Sequence, residues 1–392
     1  MNLLFVHDIK TLIYKGEAYA RSYGPDIWKR YLRVFDGVTV CTRCKSTIED
    51  QIKGIDKVTG DKVNLDSRIG EFLGPDAFFS RRIRAVIQEN IRKHDGVVVR
   101  LDSFLGLIAV RECKRMKKPF LVECVGCAWD SFWNHGISGK ILAPFLYAQM
   151  KLAIRHAPYV VYVTKEFLQH RYPTYGENTN ISNVALKPID IDVRNKRLEH
   201  IETYSETGSC KHLMTIANVG VRYKGFQFVI KALGLIKKQT GECHYIYHIV
   251  GEGDQTYLRE QAAKAGVGEN VIFHGPVSHE KIFELLQNEV DIYVQPSLQE
   301  GLPRAMIEAM SCALPCIGTD VAGIPELIQK EFIYKRSGKM PEQIVRILES
   351  YTKEQMKSAA GYNFENSKNY SSDILTQRRT DFLKKYKDSL AK

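Results

Sequence analysis

The sequence predicts an α/β protein of two doubly wound halves. Three observations carry that prediction: short β-rich apolar runs alternate with helix-length segments, a polar stretch breaks the alternation near the middle of the 392 residues, and the alternation then restarts. Strands separated by helices pair in parallel through right-handed crossovers, so each half should build its own open, Rossmann-like sheet.

In the first half, residues 3–6, 38–41, 97–100, 120–125 and 159–164 are apolar, β-branched runs and read as strands. Between them, residues 25–35 open on a proline and carry apolar side chains at helical spacing, while 104–116 and 139–156 are long enough for helices. Residues 187–209 are rich in charge, Thr, Ser and Gly and read as the interdomain linker. Beyond them, 213–217, 245–250, 271–273, 291–294 and 315–318 are strand-like, with helices over 226–238, 257–265, 279–287 and 304–312. The tail 370–392 is basic and helical in pattern. The expected domains are therefore 1–190, 191–369 and a final helix over 370–392.

Composition narrows the class. With 44% hydrophobic and 26% charged residues the chain has the make-up of a soluble globular protein, and no run approaches the ~20 apolar residues of a membrane span. Its first ten residues contain an early acidic group and no small-residue cleavage site, so they read as a strand, and a cytoplasmic location is expected. Nine cysteines, an odd number, argue for a reducing compartment. Cys41 with Cys44 and Cys124 with Cys127 have metal-like internal spacing, but the pairs stand far apart and no metal is expected.

The net charge of +11 sits almost wholly in residues 1–187, which hold 29 basic against 19 acidic side chains. Such a lobe suits an anionic membrane surface or an acidic substrate, or is simply a set of solvated helix faces. Nucleic acid is disfavoured, because neither an aromatic RNA-binding strand nor a zinc-finger spacing is present.

The strongest local signal is QPSLQEGLPRAMIEAMSCALPCIGTDVAGIPE, residues 295–326. Glu300 falls in a Gly-Leu-Pro turn after a strand, and Glu308 falls in the helix that the turn begins, with Pro303 expected in its first turn. Ligands of open α/β sheets sit at such strand ends, and free N–H groups at the helix start favour a phosphate. Isolated glutamates at these places are ordinarily solvated, yet Glu308 lies in the apolar string AMIEAM, where a charge needs a partner. Asn218-Val-Gly220-Val-Arg222-Tyr-Lys224-Gly225 is a glycine-punctuated loop whose two cations suit a diphosphate. Gly251 and Gly253 make a second tight turn after a strand, and Gly275 ends a third.

Together these residues resemble the retaining nucleotide-sugar glycosyltransferases of the GT-B fold, in the large group marked by two glutamates separated by seven residues. The resemblance covers nearly the whole second half, and it implies two Rossmann-like domains facing across a cleft. By that resemblance Lys224 contacts the donor diphosphate with Arg222 beside it, Glu300 lies by the transferred sugar, Glu308 binds the ribose, and Gly301 and Leu302 supply backbone amides. The family often places an arginine five residues before the lysine, where this chain has Val219. The family's histidine after the strand at 120–125 is also missing, leaving Asp130 or His135 to position a sugar or merely to cap a turn. In the first domain Gly16, Tyr23, Gly24 and Asp102 are the acceptor candidates, with turn-forming glycines as the plainer reading.

The implied reaction moves a sugar from a nucleoside diphosphate sugar to an acceptor hydroxyl with retention, without cofactor or metal, in capsule, lipopolysaccharide or exopolysaccharide assembly. A UDP-sugar is favoured over a GDP-sugar, and the expected acceptor is a glycan or lipid-linked glycan met at the inner face of the cell membrane. A sugar-nucleotide epimerase of the same fold and a basic nucleic-acid-binding protein are the alternatives.

Overall fold

The computed structural model describes residues 1–21, 23–72, 74–133, 136–184, 186, 190–204 and 210–391. The chain forms two compact units, Met1–Ser182 with Leu375–Lys392, and Asn183–Ile374.

The first unit contains β1 (Asn2–Val6), β2 (Thr11–Tyr14), β3 (Glu17–Tyr19), β4 (Gly37–Cys41), β5 (Cys44–Ser46), β6 (Val63–Asp66), β7 (Gly96–Leu101), β8 (Leu121–Cys124), β9 (Tyr159–Tyr162) and β10 (Glu177–Asn180). Seven of them make one sheet in the order β10-β9-β8-β7-β1-β4-β6, every pair parallel, while β3-β2-β5 form a small separate sheet. Leu3–Val6 and all of β7 are buried, as strands covered by helices on both faces must be. One consequence is a buried charge: Arg100 of β7 donates to Glu123 of β8 at 2.6 Å, and Tyr31 adds a 2.7 Å bond to the same carboxylate.

The last helix, Ser372–Leu390, returns to this unit. Buried Tyr386 accepts a hydrogen bond from Val97 N at 2.8 Å, with the carbonyls of Val97 and Pro119 each 3.1 Å from its hydroxyl, and Lys387 donates to Val34 O.

The second unit holds β11 (Lys211–Ile216), β12 (Tyr245–Val250), β13 (Val271–Gly275), β14 (Ile292–Gln295), β15 (Cys316–Thr319) and β16 (Ile333–Tyr334). These form an all-parallel sheet in the order β13-β12-β11-β14-β15-β16. The strand order reverses between β11 and β14, and that is where an open sheet opens its crevice. Across β11, β12 and β13 the register aligns His212, His248 and His274 in a hydrogen-bonded row, with N···N distances of 2.8 and 2.9 Å. Burial holds His248 down at about 4.

The stretch expected to be a linker is different. Ile191–Glu202 is a helix of the second unit, capped by Asp190, and its buried Arg197 donates to Val290 O at 2.7 Å and Leu286 O at 2.8 Å. Its charge-rich composition reflects a solvated face rather than an extended chain. The unit boundary accordingly falls after Ser182 rather than after residue 190, and the second crossing falls at Ile374–Leu375 rather than at 370. Cys41, Cys44, Cys124 and Cys127 are buried free thiols, all pushed up by desolvation, and behave as packing groups. Among the described residues, no helix is long and apolar enough to cross a membrane.

Candidate active site

The two loops that flank the reversal of strand order in the second unit meet at one ion pair. After β11 the chain makes a short turn at Arg222–Lys224 and then passes Gly225, whose φ is +82°. A side chain there would place its first carbon 1.9 Å from Pro296 O, so only glycine lets this loop lie against the loop after β14. Leu298 N donates to Tyr223 O at 2.7 Å and locks the two together. As a result Lys224 Nζ stands 2.7 Å from Glu300 Oε1, with the side chains 21% and 11% exposed.

Glu300 Oε1 also accepts from Ser297 Oγ at 2.7 Å and from Gln295 Nε2 at 3.1 Å. Gln295 is oriented in turn by Tyr293, whose hydroxyl donates to Gln295 Oε1 at 3.0 Å, and Thr319 Oγ1 donates to Ser297 O at 2.6 Å. Three donors thus hold one carboxylate oxygen at the C-terminal edge of the sheet.

Pro303 is the N-cap of the helix Arg304–Ser311 rather than its first helical residue, and no side chain caps that helix start. Without a side-chain cap, its first-turn N–H groups are suited to an anion. Gly301 O accepts from Gly323 N at 3.0 Å, and Leu302 is buried beneath the turn. Glu308 sits one face along, among the fully buried Met306, Ile307, Ala309 and Met310. Burial raises its pKa above the usual carboxylate range, and His279, whose Nε2 is 3.5 Å from Glu308 Oε1, pulls it back. Both carboxylates bear on the buried Tyr293, whose phenol is pushed up chiefly by desolvation.

The glycine turns interlock beside the pair. Val219 N donates to Glu252 O at 2.8 Å, Gly220 N to Asn218 Oδ1 at 3.0 Å, and Gly251 N to Gly275 O at 2.9 Å. Gly251 has φ +145°, and a side-chain carbon there would meet Ala217 O at 1.8 Å; Gly253 would meet Gly220 N at 2.5 Å. So Gly220, Gly251, Gly253 and Gly275 come to one edge with Lys224 and Glu300. Arg222, expected beside Lys224 on a diphosphate, lays its exposed guanidinium over Tyr257, 4.5 Å from the ring centre.

In the first unit, the order of the sheet reverses between β1 and β7. Asp8, just past β1, accepts from Phe104 N at 2.7 Å and Leu105 N at 2.9 Å, and burial raises its pKa to about 6 in spite of those bonds. Asp102, just past β7, is likewise raised by burial and edges a narrow pocket lined mostly by apolar side chains such as Phe104, Phe132, Leu146 and Met150. Tyr23 accepts from Arg100 Nη1 at 3.1 Å, which ties it to the buried Arg100–Glu123 pair.

Gly16 is accounted for by a hairpin turn between β2 and β3, in which Lys15 and Gly16 both have positive φ. Gly24 is the N-cap of the helix Pro25–Leu32. Asp130 lies half-buried on the short helix Ala128–Trp133, where its charge bears on Cys127 and Arg171. His135 lies outside the described residues.

Sequence reasoning missed Gln295, Ser297, His279 and Asp8. The first two were visible as polar residues closing an apolar strand immediately before Glu300.

Residues 210–350 match the family model described as Glycosyl transferases group 1. Over 384 residues, 93% of each chain, this sequence is 34% identical to Protein CapJ of Staphylococcus aureus. The amylovoran biosynthesis glycosyltransferase AmsK of Erwinia amylovora is 29% identical over 171 residues, 41% of this chain and 39% of that one. Among solved structures, Anabaena Alr3699/HepE in complex with UDP and glucose superposes with a TM-score of 0.63 at 14% identity, over 98% of this chain and 99% of that one.

Proposed function

The chain belongs to the glycosyl transferases group 1 family and has the GT-B fold, and from that premise we propose that its second unit takes a nucleoside diphosphate sugar at the Lys224–Glu300 pair and transfers the sugar with retention. It is a glycosyltransferase. The observation that carries the reading is the 2.7 Å contact of a cation and a carboxylate at the strand-order reversal, ringed by glycine turns and an uncapped helix start.

Departure of the diphosphate is the hard step. Lys224 leaves Glu300 for the phosphates, and with the N–H groups at the start of Arg304–Ser311 it offsets the charge growing on the leaving group. Glu300, still held by Ser297 and Gln295, faces the sugar hydroxyls. Glu308 accepts from the ribose. With Lys224 and these N–H groups in this role no divalent metal is needed, and turnover in chelator is the check. A UDP-sugar is the favoured donor, a choice supported by the UDP and glucose complex of HepE. The acceptor is a growing surface glycan, a reading supported by the amylovoran biosynthesis glycosyltransferase among the relatives.

The test is a thermal-shift screen of UDP-, GDP- and ADP-sugars. A ligand at about 100 times its Kd adds about 2.7 kcal/mol to the folded state, a shift that Glu308→Ala should remove. Stabilisation by none of them, or an undiminished shift in that variant, overturns the reading.

A further inference from the structure

The helix Gly136–Arg155 is apolar on two opposite sides. Gly139, Ala143, Leu146, Met150 and Ala153 face the core of the first unit, yet Ile137, Ile141, Phe145 and Leu152 run along the outward side. Ile137 and Ile141 are 81% and 74% exposed. A helix apolar all round belongs in a core or a membrane, whereas this one lies at the surface.

Its surroundings say what covers it. The helix contains no acidic residue, and its exposed polar side chains are Ser138 and the cations Lys140, Lys151 and Arg155. Phe78 touches Phe145 edge-on at 6.5 Å, and the next residue, Phe79, is 85% exposed. Exposed Arg84 donates to Phe78 O, and exposed Arg111 lies over the Phe78 ring, 5.9 Å from its centre. Trp129 and Trp133 stack at 5.0 Å, and Lys140 lies over the Trp133 ring. An apolar stripe with a one-sided rim of Lys and Arg and aromatic neighbours is the make-up of a helix that lies in the plane of an anionic lipid surface.

We propose that the outward face of Gly136–Arg155, with Phe79 beside it, docks the first unit onto an anionic bilayer. The inward face of the same helix, through Leu146 and Met150, walls the pocket at Asp102. Docking therefore brings this side of the first unit to the membrane, where a lipid-linked acceptor is met. This last step rests on the sugar-transfer reading; lipid binding itself does not, because it requires no nucleotide sugar.

The experiment is co-sedimentation of the full chain with vesicles of phosphatidylcholine alone or mixed equally with phosphatidylglycerol. Binding should need the anionic lipid, weaken with added salt, and fall at least tenfold in Ile141→Ser/Phe145→Ser while the circular dichroism and melting curve stay unchanged. Should that pair fail to fold, Lys140→Glu/Lys151→Glu leaves the apolar stripe itself unaltered and should cost at least tenfold as well. Parent protein that ignores the anionic vesicles, or variants that bind them as the parent does, overturn the proposal. So does light scattering that shows a dimer which Ile141→Ser/Phe145→Ser turns into monomer, because the face would then join two copies.

Discussion

Replacing Lys224 by methionine should weaken the protein before any donor is added. At 2.7 Å, unit charges attract by about 6 kcal/mol in a medium of effective dielectric about 20. Most of that is offset, by desolvation of the shielded part of the pair and by screening from the water that still reaches it. Ser297 and Gln295 also continue to donate to Glu300 after the lysine is gone. What remains is a net coupling of about 1–2 kcal/mol, between the values of exposed and buried pairs. A double-mutant cycle of Lys224→Met and Glu300→Gln, read by urea unfolding without ligand, isolates that coupling. In the same proteins, affinity for a UDP-sugar should fall about 10–100-fold in Lys224→Met, the loss of a hydrogen bond to a charged phosphate. A coupling below about 0.3 kcal/mol, the ordinary scatter of independent sites, would refute the pair as a structural unit. Unchanged nucleotide affinity would refute its role with the donor.

Gly225→Ala puts a carbon 1.9 Å from Pro296 O, so the two loops must separate; a loss of at least about 2 kcal/mol in urea unfolding is expected, and a near-neutral result counts against the close approach. Tyr386→Phe leaves the N–H of Val97 without the acceptor it now has at 2.8 Å, which should cost about 1–3 kcal/mol and speed hydrogen exchange at Val97; a protected amide in the variant speaks against the anchor. His248 is held near 4, so the unfolded chain takes up its proton first, and stability falls as pH drops from about 6.5 toward 4, by up to about 3 kcal/mol. Asp8, raised to about 6, slopes the other way over much of that window, so the measurement is the difference between parent and His248→Gln. That difference should shrink on acidification and contradicts the assignment if it is flat.

The fold was legible where apolar runs were long enough to be buried on both faces. Residues 3–6, 97–100 and 245–250 announce interior strands because such β-rich, largely apolar runs call for cover on both faces. β6 and β10 escaped notice, since VNLD and ENTN are polar and only their position at the ends of the sheet makes strands of them. The helix Ile191–Glu202 was hidden by its solvated face, with Arg197 counted as one more surface charge although it is buried on carbonyls.

Lys224 and Glu300 were legible as types at the ends of strands. Their contact depends on Gly225 lying against Pro296, which no local pattern reports. The resting place of Arg222 is hidden for a similar reason, because Tyr257 offers its ring from a separate helix. The row of His212, His248 and His274 is invisible in the sequence and follows only from the parallel register that sets Met214 against His248 and His248 against Ile272.

Because the closing helix supplies Tyr386 to the first sheet, the two units are not consecutive stretches of the gene. A chimaera made by joining the front of this protein to the back of a relative at a single crossover would give the first sheet a foreign closing helix, one not matched to the Val97 and Pro119 groups that Tyr386 now engages. Grafting a new donor specificity therefore calls for two junctions, one at Ser182–Asn183 and one at Ile374–Leu375, with everything outside them inherited from a single parent.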